Sequence, residues 1–165
     1  MPSIAEAVRE LTAPDRDAAD YLEFHRRRYA FLLQAVERVL REHGKPARIL
    51  DVGMSYQTRL LRQCHPDAAI ETMGFFDHRF QLAEAVPHTQ FDLNRAAEES
   101  EWPALEPFDL ILLAEVLEHL YVPPKRVLRM FRELLRPGGA LLIQTPNPVN
   151  LARRLALLAG RSPFE

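Results

Sequence analysis

Short runs that are apolar at nearly every position alternate along this chain with longer stretches in which apolar residues recur every three or four. The two periods separate strands from amphipathic helices. Residues 1–16 are mixed in character and contain Pro14; they predict a frayed leader with one helical turn near Ile4 to Leu11. From about Asp17 to Glu42 the apolar face is Tyr21, Phe24, Ala30, Phe31, Leu33, Val36 and Leu40, with charges opposite. That is a helix, and His43-Gly44-Lys45-Pro46 supplies its stop, with glycine after the last turn and proline beyond. Arg48-Ile49-Leu50-Asp51-Val52 then reads as a short buried strand, followed at once by Gly53. Leu60, Leu61 and Cys64 return to helical spacing, with Ser55 or Thr58 as the helix cap.

The same alternation continues to the end. Residues 68–75 read as a second strand and residues 88–94 as a short third strand with its exit. Residues 95–107 are acidic, contain Trp102-Pro103 and Pro107, and predict a surface helix and loop. Phe108 to Ala114 is apolar apart from Asp109, as a central parallel strand covered on both faces should be. Pro123-Pro124 open a helix whose face is Val127, Leu128, Phe131, Leu134 and Leu135. Leu135-Arg136-Pro137-Gly138-Gly139 closes it, and residues 140–145 form a fifth strand. A basic amphipathic helix with Arg153 and Arg154 follows, from about Val149 to Ala159. Strand, tight turn and helix repeated in this order predict an α/β, Rossmann-like doubly wound, mostly parallel sheet. Ligands of such folds sit outside the carboxyl ends of the strands, where the strand order reverses.

Composition narrows the classes. At 165 residues the chain makes one domain with a real core. With 21 Lys and Arg against 23 Asp and Glu, the net charge is −2, which argues against a dedicated nucleic-acid binder. Cys64 is the only cysteine, so neither a disulfide framework nor a cysteine-rich zinc site is expected. No apolar run is long enough to span a bilayer, the N-terminus lacks a signal layout, and the expected setting is cytoplasmic.

Asp51-Val52-Gly53, ending a first strand that follows an N-terminal helix, resembles the first motif of class I S-adenosylmethionine (SAM)-dependent methyltransferases. The string Phe108-Asp109-Leu110-Ile111, Glu118-His119-Leu120, Leu134-Leu135-Arg136-Pro137-Gly138-Gly139 and Thr145-Pro146-Asn147 is more specific to that family than the glycine turn. The likeness spans about residues 47–147. It implies one domain over 1–165: a leader (1–16), an N-terminal helix (17–44), a cofactor-binding core (47–147) and a C-terminal helix (148–165). It implies strand order 3-2-1-4-5, without the strand pair that ends the family's sheet, so that the fifth strand is an exposed edge open to a homodimer. The family motif is Asp-x-Gly-x-Gly-x-Gly, and here Ser55 and Gln57 stand at the second and third glycine positions. A residue with a Cβ forced to positive φ costs about 1–2 kcal/mol. Either this loop takes another path, or the cofactor is held less tightly.

What the resemblance implies for the site is specific. Asp51 and Gly53 would hold the methionine end of SAM, with Met54, Ser55 and Ala114 as further cofactor-binding residues. Asp77 would take the ribose, although the spacing Gly74-Phe75-Phe76-Asp77 is one residue longer than usual. Asp92 would meet the adenine amine and Leu93 its ring; turn chemistry is the other reading of Asp92. Glu115, Glu118 and His119 would face the substrate, one of them as general base. If residues 115–119 are helical, these three share a face and form a candidate magnesium site in which the metal lowers a hydroxyl pKa. Pocket lining without metal is the alternative. Arg26-Arg27-Arg28 reads as a solvated face, unless His25 or Arg28 with Tyr21 or Tyr29 reaches over the cofactor mouth. The expected reaction is methyl transfer to a small-molecule acceptor, first of all a hydroxyl. Alternatives are a catalytically silent binding or assembly module, and an RNA methyltransferase using Arg26 to Arg28 and Arg153-Arg154 on phosphates.

Overall fold

The computed structural model describes residues 3–11, 16–43, 47–80, 86–147 and 151–161. Two helices lead, α1 (Ile4–Glu10) and α2 (Arg16–His43). Then come β1 (Arg48–Val52), α3 (Tyr56–Cys64), β2 (Ala69–Gly74), β3 (His88–Gln90), β4 (Phe108–Ala114), α4 (Pro124–Leu134), β5 (Leu135–Gln144) and α5 (Leu151–Leu158). The five strands form one sheet in the order β3-β2-β1-β4-β5. Every pairing is parallel. Fold class and strand order are those expected from the sequence.

Period-two alternation divides the core between the two sheet faces. Ile49 of β1 and Leu110 and Leu112 of β4 pack with Leu22, Tyr29, Leu33 and Val36 of α2 and with Leu60 and Leu61 of α3. Leu50 and Val52, with Ile111 and Leu113, pack on the other side against Val127, Met130, Phe131 and Leu134 of α4. Asp51 therefore falls on the Ile49 side, under α3. The amino ends of the strands are tied by charge. Arg48 bonds Glu71 of β2 through Nε at 2.8 Å, while its backbone N–H donates to Asp109 of β4 at 2.9 Å. Arg136 of β5 closes on the same Asp109 at 2.7 Å.

Four local expectations change. Within the leader, α1 is capped and packed rather than frayed: Ser3 and Glu6 form a reciprocal capping box, and Ala7, Val8 and Leu11 enter the core. Residues 95–107 hold short 3₁₀ turns, not a helix; Trp102 donates its indole N–H to the Ala96 carbonyl at 3.0 Å and packs on the α4-side core. β5 begins at Leu135, so the Pro-Gly-Gly run lies within the strand as an irregularity: Phe108 pairs with Leu135 but Leu110 with Ala140. Glycine is required there, because a Cβ on Gly139 would approach the Arg136 and Phe108 carbonyl oxygens at 2.9 and 3.0 Å. Arg28 is not on a solvated face, since its side chain is only 15% exposed. The Gly44-Lys45-Pro46 stop and the predicted start of the last helix at Val149 lie outside the described residues. Among the described residues, no helix is long and apolar enough to cross a membrane.

Candidate active site

The carboxyl ends of β1, β2 and β4 surround a cleft of about 350 Å³, within the size range of small-molecule sites. Its floor is Val52, Gly53 and Met54, where β1 gives way to α3. Gly53 has φ +84°, and a Cβ there would meet Val116 Cγ2 at 2.9 Å. The backbone can approach a ligand closely here because that atom is missing. Gly74, Phe75, Phe76 and Asp77 form one wall after β2; Phe91, Asp92, Leu93 and Asn94 form another after β3. Glu115, Val116, His119 and Leu120 complete it after β4.

Seven expected site residues thus come together: Gly53, Met54, Asp77, Asp92, Leu93, Glu115 and His119. Asp51, Ser55, Ala114 and Glu118 are not in the lining. Asp51 is fully buried, with Gln57 Nε2 donating to Oδ1 at 2.5 Å and Thr58 Oγ1 donating to Oδ2 at 2.6 Å. Both of its oxygens are thus taken by side chains of the first turn of α3. Burial pushes its pKa up to about 7, against the lowering effect of the Thr58 and Gln57 hydrogen bonds. Ser55 is the N-cap of α3: its hydroxyl accepts from Gln57 N–H at 3.2 Å, and Thr58 Oγ1 accepts from Ser55 N–H at 3.3 Å. Ser55 itself is extended, with φ −157°.

Asp77 combines its two readings, since it lines the cleft and its carbonyl accepts from Phe80 N–H to start a turn. Asp92 does likewise: it lines the cleft while Oδ1 accepts from Asn94 N–H at 2.9 Å and from Asn94 Nδ2 at 3.0 Å. Asn94 in turn receives Tyr121 N–H on Oδ1 at 2.7 Å, joining the β3 and β4 loops.

The helical premise for residues 115–119 does not hold. Only Leu117–His119 turns, as a 3₁₀ helix, and Glu115 adopts a left-handed φ of +56°. The side chains then diverge. Glu115 faces Arg28 of α2 at 3.5 Å, whereas the His119 side chain is 76% exposed and 3.9 Å from Glu118. No group of three metal-ligating side chains is gathered among the described residues, so the Glu115, Glu118 and His119 set does not fit a magnesium ion. Burial raises the Glu115 pKa above its ordinary value, opposed by the Arg28 charge. Arg28 is the main residue that sequence reasoning left undecided. Its Nε is buried without a hydrogen-bond acceptor, and one helical turn of α2 separates it from His25. Phe75 and Phe76 were also missed; their signal is an apolar pair standing between a strand end and a carboxylate.

A methyltransferase-domain family model matches residues 22–164. The chain belongs to the class I SAM-dependent methyltransferases. None of the curated proteins matches this methyltransferase. Among solved structures it is similar to the N-methyltransferase NodS from Bradyrhizobium japonicum WM9 in complex with S-adenosyl-L-homocysteine (SAH). The identity is 21% and the TM-score 0.56, over 86% of this chain and 72% of that one. A SAM-dependent methyltransferase from Archaeoglobus fulgidus gives 16% and 0.54, over 84% and 64%. MycE from the mycinamycin biosynthetic pathway, in complex with Mg and SAH, gives 18% and 0.53, over 92% of this chain but 47% of its own. At these identities the likeness carries the fold.

Proposed function

We propose that this methyltransferase transfers the methyl group of SAM to a hydroxyl of a small molecule, with the cofactor in the cleft at the ends of β1, β2 and β4. The observation that carries the reading is the convergence there of a glycine of positive φ, two acidic loop residues and apolar walls. Asp77 suits the ribose hydroxyls as an acceptor. Asp92 suits the adenine amine, with Leu93 and Phe91 against the ring. Arg28 stands behind the cleft lining, held by Glu115 at 3.5 Å and by the Tyr29 ring at 4.8 Å, and its Nε, which has no acceptor, is the donor this reading gives to the methionine carboxylate. When bound, SAM supplies an electrophilic methyl group. The chain contributes position and a proton acceptor. Glu115 is that acceptor in this reading: it lines the cleft, and its raised pKa makes it a stronger base than an ordinary carboxylate. A hydroxyl needs such a base while it attacks.

The domain reading of the sequence is kept: one unit over residues 1–165, with residues 17–44 flanking a core of residues 47–147. A homodimer through the outer edge of β5 belongs to the same proposal, supported by the single neighbour of β5 in the sheet and the exposure of Ile143. RNA is disfavoured as a substrate because Arg26 pairs with Glu23 and the Arg28 side chain is only 15% exposed, too buried to reach a phosphate backbone. The silent-module reading draws on one observation, that the acidic residue of the first motif is sealed by Gln57 and Thr58.

Calorimetric titration of SAM and SAH separates the readings. Micromolar binding, weakened about tenfold or more by Asp77→Ala, is expected from loss of charged hydrogen bonds to the ribose. Absence of binding to both ligands would refute the enzyme reading and leave the silent module.

A further inference from the structure

Four rings outside the cleft lining form a continuous chain that joins α2, α3 and the turn after β2. Tyr21 and His25, one turn apart on α2, have ring centroids 4.2 Å apart. Tyr21 reaches Tyr56, the first residue of α3, at 6.4 Å. Tyr56 meets Phe80 edge-on at 5.0 Å. Phe24 adds an edge contact to His25 at 4.9 Å. Interacting aromatic rings have centroids about 4.5–7 Å apart, so these separations are those of packed rings.

Three elements that meet at the carboxyl ends of the strands supply them. α2 precedes β1 directly, so its N-terminal half stands at that end of the sheet, and the Arg28–Glu115 contact fixes its level. Tyr56 follows the Gly53–Met54 floor by two residues. Phe80 donates its N–H to the carbonyl of Asp77, a wall residue. One end of the ring chain is thus tied through α2 to Glu115, and the other through Phe80 to Asp77.

Tyr56 packs its inner side on the α2–α3 core, and His25 and Phe80 are half-buried, so the set keeps one side toward solvent. Leu22 and Tyr29 take the core face of α2, while Tyr21 is 43% exposed and Phe24 83% exposed. Single exposed aromatics are ordinary; a contiguous set from three elements beside a reaction cleft is a surface for another ring. Burial, and then the Arg28 charge, lower the His25 pKa, so near neutral pH it presents an uncharged ring.

We infer that Tyr21, His25, Tyr56 and Phe80 form an aromatic wall that selects a planar aromatic hydroxy compound as the methyl acceptor. The inference rests on the proposed cofactor site and deepens it. The methyl donor would sit on the cleft floor, and the acceptor ring would lie against the wall with its hydroxyl toward Glu115. The hydroxyl oxygen forms the new bond to carbon as the sulfur–carbon bond of SAM breaks. The sulfur keeps that electron pair and leaves as SAH, and the hydroxyl proton passes to the Glu115 carboxylate.

The test uses the full chain saturated with SAH and two matched ligand pairs, catechol with 1,2-cyclohexanediol and 2-naphthol with decahydro-2-naphthol. The aromatic member of each pair is expected to bind about tenfold tighter. Tyr21→Leu and Tyr56→Leu should each weaken that binding about three- to tenfold, the worth of one ring contact. Tyr21→Phe and Tyr56→Phe should restore it, and SAH affinity should stay within about twofold throughout. Equal binding of the paired ligands, or leucine variants indistinguishable from wild type, would overturn the wall while leaving the cofactor site standing. Phenylalanine variants as weak as leucine would also overturn it, by assigning the effect to the hydroxyl groups. Failure of the wild type to bind SAH would remove the proposed function and this inference with it.

Discussion

Replacing Asp51 with Asn isolates the electrostatic cost of one fully buried carboxyl. The carboxyl is fully buried, and burial raises its pKa from 3.8 to about 7. A carboxyl whose folded pKa is raised stabilises the fold while protonated. That stability is complete below the unfolded value of 3.8 and is lost as pH rises through about 7. The gap between the two values corresponds to about 4 kcal/mol, of which about 3 kcal/mol falls between pH 5 and pH 8. The burial is complete, so solvent screening takes little from this figure. Asn keeps the shape, still offers an acceptor to Gln57 or Thr58, and cannot ionise. Urea unfolding of wild type and Asp51→Asn from pH 5 to 8 should give a difference curve that shifts in favour of the variant by about 3 kcal/mol as pH rises. His25 and His65 have lowered pKa values from burial, so their stability is lost as pH falls through the unfolded value near 6.5. They titrate in both proteins and cancel in the difference. A difference curve flat across this range would show that the Asp51 carboxylate ionises as freely in the fold as in water, and would refute the argument.

Two further outcomes follow from the site. Gly53→Ala puts a Cβ at φ +84° and within 2.9 Å of Val116 Cγ2; the backbone strain alone costs about 1–2 kcal/mol. Thermal unfolding should fall by roughly 2–8 °C, and calorimetry should find SAM binding lost. Glu115→Gln keeps the side chain's length but removes the carboxylate beside Arg28 that is proposed to accept the proton. Once an acceptor is in hand, kcat should drop about 100-fold or more while the SAM dissociation constant changes only a few-fold. An unchanged kcat would assign the proton to another group.

Hydrophobic patterning made the sheet legible, because Ile49, Leu50, Leu110, Ile111, Leu112 and Leu113 leave few alternatives to buried parallel strands. Local geometry was less so. Glu115, Glu118 and His119 share a face only if the chain continues as an α-helix after β4. The left-handed turn at Glu115 breaks that premise, and nothing in Ala114-Glu115-Val116 announces it. Left-handed non-glycine residues cost about 1–3 kcal/mol and concentrate at functional sites, so this one marks the site even as it dismantles the metal reading. The start of β5 was hidden by Pro137-Gly138-Gly139, which reads as a helix stop yet fits an irregular strand. Asp51 is different, because its placement was within reach: alternation puts it on the Ile49 face, under α3.

That placement explains how the motif tolerates two missing glycines. Only Gly53 of this loop takes a positive φ, and it is the glycine retained. Ser55 is extended and caps α3, and Gln57 lies within the first helical turn, so neither pays the left-handed penalty of a Cβ. Both side chains are used. Ser55 accepts Gln57 N–H at the helix start, while Gln57 and Thr58 clamp the two oxygens of Asp51. A flexible glycine turn is thereby replaced by one held through side chains. The loop therefore carries Ser55 and Gln57 without the strain of a Cβ at positive φ. The carboxylate at the end of β1 acts through the loop it fixes. Gly53, Asp77 and Asp92 line the cleft while Asp51 is sealed behind it, which is why Asp51→Asn should test stability while Asp77→Ala tests the proposed binding role.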